Sequence, residues 1–156
     1  SRGLGDVYKR QLYQIQLFEA ALDKDGIAYK EYAIADTNEV QSVTTAAAGE
    51  CDVLYIPTDN TLASVTETVY NVVAPAKIPV IAGEEGICNG CGVATLSISY
   101  YDLGYATGEM AYEILAEGAD ITTMDVRYAP NVTKKYNAKI CEELGITVPD
   151  DYVAIQ

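Results

Sequence analysis

The sequence predicts an α/β fold: a doubly wound, mostly parallel sheet with helices on both faces. Three short apolar runs, residues 52–56 (DVLYI), 78–82 (IPVIA) and 93–99 (VATLSIS), have the composition of strands buried on both faces. Segments between them repeat apolar residues every three or four positions, the period of a helix with one buried face. Strands separated by helices form right-handed parallel crossovers, which place helices on both faces of the sheet. The length, 156 residues, suits about one domain of ~100–200 residues.

The elements follow in order. Residues 1–11 (SRGLGDVYKRQ) hold three of the ten basic residues and no apolar periodicity, and are read as a non-native leader. The native portion is expected from Leu12. Leu12, Ile15, Phe18 and Leu22 form one helix face, closed by Gly26. Residues 28–34 (AYKEYAI) alternate like a strand, and Asp36, Thr37 and Asn38 offer N-caps. Val40, Val43 and Ala47 mark a helix closed by Gly49, and Pro57 stops the strand at 52–56. Leu62, Val65, Val69 and Val72 face one way on a helix ending before Pro75. The strand at 78–82 leads into a glycine-rich loop over 83–92, then the strand at 93–99. Leu103, Ala106, Met110 and Ile114 define a long amphipathic helix ending near Gly118. Residues 124–129 read as a strand and 137–144 as a short helix capped by Gly145. No repeat, low-complexity tract or linker interrupts this order.

Composition excludes several kinds of chemistry. Ten basic and 23 acidic residues give a formal charge of −13, which argues against binding nucleic acid or anionic lipid. With no histidine, Ser-His-Asp triads, Cys-His dyads and His-ligated zinc are out of reach. No P-loop, G-x-S-x-G elbow or G-x-G-x-x-G occurs, and no run is long and apolar enough to span a bilayer. The Asn131-Val132-Thr133 triplet is a formal glycosylation sequon of a kind that arises often by chance. Cys88 and Cys91 form a Cys-Asn-Gly-Cys pair, with Cys51 and Cys141 elsewhere; ordinary thiols are expected, and neither a metal nor a cofactor.

In open α/β sheets, ligands bind beyond the carboxyl ends of the strands. The residues just past the three apolar runs are Pro57 to Asn60, Gly83 to Glu85, and Ser97 to Asp102. These clusters are expected along one rim. Thr58 and Asn60 offer neutral hydrogen-bonding groups, and helix-opening amides after Asn60 suit a carboxylate. Asp59 and Glu84 can pair with an ammonium group, and Tyr100 and Tyr101 can stack on a flat apolar side chain. Each group also has a plain structural use. Asp59 or Asn60 can be a helix N-cap, Glu84 and Glu85 solvated loop charges, and the tyrosines packing residues.

The runs DVLYIPTDNTLASVTETV, KIPVIAGEE and SISYYDLGYATGEMAYEIL resemble ABC-transporter substrate-binding proteins of the type I periplasmic-binding fold, in the branch that includes tryptophan and tyrosine uptake proteins. The likeness runs from Leu12 to Val153. It implies two α/β lobes closing on a ligand, of which residues 12–99 and 131–156 are second lobe and 100–130 belong to an incomplete first lobe. It places ligand contacts on Thr58, Asp59, Asn60, Gly83, Glu84, Ser97 and Tyr100. Cys88 and Cys91 depart from the family's loop.

The resemblance implies a non-enzymatic solute-binding component, extracytoplasmic or lipid-anchored, whose partners are a small ligand and ABC permease subunits. An amino acid is the first choice of ligand. A small flavodoxin-like enzyme and the effector-binding domain of a transcription regulator remain open. The helix over 100–117 is expected to expose an unpartnered apolar face, available for non-native association.

Overall fold

The computed structural model describes residues 4–129 and 131–155, with side chains from residue 11 onward; Ser1–Gly3, part of the segment set aside above, lie outside the described residues. Helix α1 (Leu4–Asp25) runs through the rest of that segment without a break. The inward face of α1 is also rotated from the expected one. Leu12 is exposed, while Gln11, Gln14, Ile15, Phe18 and Leu22 are half-buried.

Next come α2 (Val40–Glu50), β1 (Leu54–Ile56), α3 (Asn60–Ala63), α4 (Thr66–Ala76), β2 (Val80–Ala82), α5 (Glu85–Cys91), β3 (Ala94–Ile98) and α6 (Tyr100–Leu115). A 3-10 turn (Ile121–Thr123), β4 (Val132–Tyr136), α7 (Ala138–Leu144) and β5 (Val153–Ala154) complete the chain. The sheet order is β1-β2-β3-β4-β5. Strands β1, β2 and β3 are parallel, β4 runs antiparallel to β3, and β5 is parallel to β4. The mostly parallel α/β sheet is therefore present, and its three parallel strands are the three apolar runs.

The core lies where α2, α4 and α5 cover β1 and β2. Val40, Ile56, Val69, Val73, Val80, Ala82, Ile87, Cys88 and Cys91 form its buried cluster. A second cluster of Val93, Ile140 and Cys141 seats α7. Strand β3 is one-sided: Thr95 and Ser97 are buried, and Leu96 and Ile98 are exposed on the opposite face.

Four expectations need correction. Residues 28–34 join no ladder. Side chains hold that segment instead: Tyr32 Oη donates to Glu50 Oε2 at 2.8 Å, Lys30 pairs with Glu50, and Ile34 packs on the core. Residues 124–129 also pair with no strand. Arg127 binds both carboxylate oxygens of Glu113 at 2.7 Å, which fastens the segment to α6.

The expected loop over 83–92 is largely helix α5, and the Cys-Asn-Gly-Cys pair lies within it. Gly90 there serves close packing of helices, because a Cβ would fall 2.1 Å from Thr66 Oγ1 on α4. Finally, β4 and β5 went unforeseen. The sequence VTKKY carries two lysines, and its burial is slight. Its identity as a strand comes from five residue pairs with β3, not from its own apolarity.

Candidate functional site

Three parallel neighbouring strands end on the same side, so the residues following β1, β2 and β3 share one rim. Direct contacts tie them together. Gly83 N–H donates to Ile56 O at 2.7 Å, and Thr58 Oγ1 donates to Gly83 O at 3.2 Å. The approach is close: a Cβ on Gly83 would lie 2.8 Å from Thr58 N and 2.9 Å from the Pro57 carbonyl carbon. Only glycine fits beside that backbone. From the third strand, buried Ser97 has its Oγ 3.3 Å from Glu85 Oε2, and the same oxygen accepts from Lys135 Nζ at 2.7 Å.

Several site residues also close helix ends. Asp59 is the N-cap of α3, where its Oδ1 accepts from Leu62 N–H at 2.8 Å. Glu84 is the N-cap of α5, accepting from Gly86 N–H at 2.8 Å through Oε2 and from Ile87 N–H through Oε1. Ser99 caps α6, its Oγ accepting from Asp102 N–H at 3.1 Å. A carboxylate near helix-opening amides satisfies donors the helix leaves unpaired. Glu84 is thus a cap rather than a free loop charge, and Glu85 is paired with Lys135. Asn60, the first residue of α3, is exposed. Tyr100 and Tyr101 open α6, with Tyr101 80% exposed.

The rim therefore gathers Thr58, Asp59, Asn60, Gly83, Glu84 and Ser97, with Tyr100 three residues past Ser97 at the head of α6. Three participants escaped sequence reasoning. Gln14 of α1 faces Thr58, with Oε1 accepting from Thr58 N–H at 3.1 Å and Nε2 3.3 Å from Thr58 Oγ1. Its place follows from the rotation of α1, which the apolar pattern of that helix did not fix. The place of Lys135 depends on the register of β4. Gln11 also donates to Asp59 Oδ2.

The four cysteines are free thiols. Burial pushes both Cys88 and Cys91 up to about 12, which leaves them protonated and unreactive at neutral pH. No group of three or more potential His, Cys, Asp or Glu metal ligands occurs among the described residues.

Polar turns converge at the ends of the parallel strands, the edge at which sheets of the doubly wound class bind their ligands. The family model described as "ABC transporter substrate binding protein" matches residues 8–155, and the chain belongs to that family. Over 107 residues it is 38% identical to the tyrosine-binding protein of Clostridioides difficile (strain R20291), covering 65% of this chain and 31% of that protein.

The fold is similar to the ligand-free, open structure of a substrate binding protein with adhesive properties from Clostridium difficile. There the TM-score is 0.73 at 32% identity, over 100% of this chain and 52% of the other. An ABC domain from Streptococcus pneumonia, solved in complex with L-Trp, gives a TM-score of 0.79 at 33% identity, covering 88% of this chain and 46% of the other. A conserved domain protein from Vibrio cholerae gives 0.81 at 30% identity, covering 93% and 50%. The chain spans about half the length of these solved relatives and less than a third of the curated one.

Proposed function

We propose that this chain is the ligand-gripping half of a solute-binding component of an ABC uptake transporter, and that its ligand is an amino acid with an aromatic side chain. The reading rests most on the convergence of the Thr58 and Gly83 turns and the Ser97 end of β3 on one rim. Neutral hydrogen-bonding groups, acidic groups and tyrosines there suit an amino acid. The relatives named for tyrosine binding, or solved with L-Trp, support the choice of side chain. The function is binding rather than catalysis, with Thr58, Asp59, Asn60, Gly83, Glu84, Ser97 and Tyr100 as contacts.

In this reading residues 12–99 and 131–156 form the second lobe, and 100–130 belong to the first. The exposure of α6, which buries none of its residues and leaves Tyr105, Tyr112 and Leu115 open, is consistent with an element made for another surface. Hinge closure over the ligand would present a composite surface to the permease outside the cytoplasm.

The test is a thermal-shift and calorimetric screen of the twenty amino acids against the two-lobed parent. Saturable stabilisation by L-tyrosine or L-tryptophan is expected. The isolated chain should bind them at millimolar strength or weaker, because it encloses only part of a ligand. A parent that ignores every amino acid would refute the reading.

A further inference from the structure

We propose that Gln14 is a positioning residue of the ligand rim: it holds the Thr58 turn in register with Gly83. The argument is one of donors and acceptors. Thr58 N–H has a partner only in Gln14 Oε1, at 3.1 Å, among the hydrogen bonds described. Gln14 Nε2, 3.3 Å from Thr58 Oγ1, can only donate. The hydroxyl hydrogen is therefore free to go to Gly83 O at 3.2 Å. Two of the bonds form a chain from the Gln14 Nε2 amide through the Thr58 hydroxyl to the Gly83 carbonyl, and the third returns from Thr58 N–H to Gln14 Oε1. They also fix which end of the Gln14 amide is oxygen.

At position 14 the amide supplies both the acceptor for Thr58 N–H and the donor to Thr58 Oγ1. A carboxylate at position 14 could accept from Thr58 N–H but could not donate to Oγ1. The hydroxyl would then turn toward the new carboxylate and release Gly83 O. A methionine of similar length would keep the packing and make neither bond. The contacts Gln14 makes are with Thr58, so its proposed effect on a ligand runs through that turn.

This inference deepens the proposed function and rests on it for the ligand, but the positioning itself can be read without one. The first readout is amide hydrogen exchange at Thr58 in this chain. Gln14→Met should raise it roughly fivefold to tenfold, the worth of one net hydrogen bond. Gln14→Glu should keep the amide protected. The second readout is the dissociation constant for L-tyrosine and L-tryptophan in the two-lobed parent. Gln14→Met should weaken binding of whichever is bound by about tenfold, with its melting temperature close to wild type, and Gln14→Glu should recover part of the loss.

Unchanged Thr58 exchange in Gln14→Met overturns the positioning role. Raised exchange with unchanged affinity overturns the link from the turn to the ligand. If Gln14→Met does not fold, Gln14→Glu decides: affinity equal to wild type then refutes the directional bond to Gly83. A wild-type parent that binds no amino acid refutes the proposed function, and the exchange measurement still judges the positioning.

Discussion

Replacing Gly83 by alanine tests the tightest point of the rim. The new Cβ would lie 2.8 Å from Thr58 N, 2.9 Å from the Pro57 carbonyl carbon and 3.1 Å from Pro57 Cα. All three are backbone atoms, so no rotamer change relieves the overlap. The β1 turn must move away from the β2 turn. That strains the Gly83 N–H bond to Ile56 O at 2.7 Å and the Thr58 Oγ1 bond to Gly83 O at 3.2 Å. Overpacking costs about 1–3 kcal/mol and a lost hydrogen bond about 1, so the total is roughly 2–4 kcal/mol. For a chain of this size each kcal/mol is worth about 2–4 °C, giving a fall of roughly 5–15 °C in melting temperature. Gly49→Ala is the matched control. Gly49 lies in α2 with open space where its Cβ would go, so it should gain about 0.5–1 kcal/mol of helix stability. Circular dichroism melts of the two variants against wild type provide the assay. A Gly83→Ala protein melting at or above wild type would refute the close-approach argument.

Asn137→Ala should lose about 2–4 kcal/mol in chemical denaturation, because one buried side chain serves two helices. It caps α7 through Ile140 N–H at 3.2 Å, and its Nδ2 donates to Cys88 O at 3.3 Å and Asn89 O at 2.9 Å. Glu19 should make stability depend on pH. Its carboxyl is held above the usual range, first by a hydrogen bond with Glu31, then by desolvation and by the charges of Glu31 and Asp23. A raised folded-state value adds stability below the unfolded value of about 4.3, and that stability is lost as pH rises through the folded value. Wild type should therefore lose ground against Glu19→Gln as melts move from acid toward neutral pH; a constant difference would contradict the pairing. A disulfide-exchange thiol reagent at mildly alkaline pH should modify half-buried Cys51 first. Cys88 and Cys91, with thiols near 12, should react only on unfolding.

The sequence made the parallel strands legible because burial on both faces demands apolar runs, and DVLYI, IPVIA and VATLSIS have no other ready use. It failed where structure depends on partners. Residues 28–34 alternate well, yet a strand exists only beside another strand, and this segment has none among the described residues. VTKKY reads poorly, yet it pairs along its length with β3. Glycines misled for a related reason. Gly86 and Gly90 suggest a loop by composition, while Glu84 capping and contact with Thr66 make the segment a helix. The rim followed from the strands, since parallel neighbours must end together. Gln14 and Lys135 did not, because each enters through an element whose orientation the local pattern leaves open.

Capping and ligand recognition are not rival uses of the rim carboxylates, and the hydrogen bonds separate the two acids. A carboxylate has about four lone-pair positions. Glu84 commits one on each oxygen to backbone N–H groups of α5, so both oxygens are turned toward the helix. Asp59 commits Oδ1 to Leu62 N–H, while Oδ2 takes a side-chain amide from Gln11. Under the proposed function, that second oxygen, which accepts an N–H donor from outside its own helix, is where an ammonium group would be held while Oδ1 still closes α3. Glu84 is better suited to fixing the turn in which Gly83 lies. The division of labour comes from one difference in length: the shorter side chain reaches the N3 amide with one oxygen, and the longer one folds back over two amides with both.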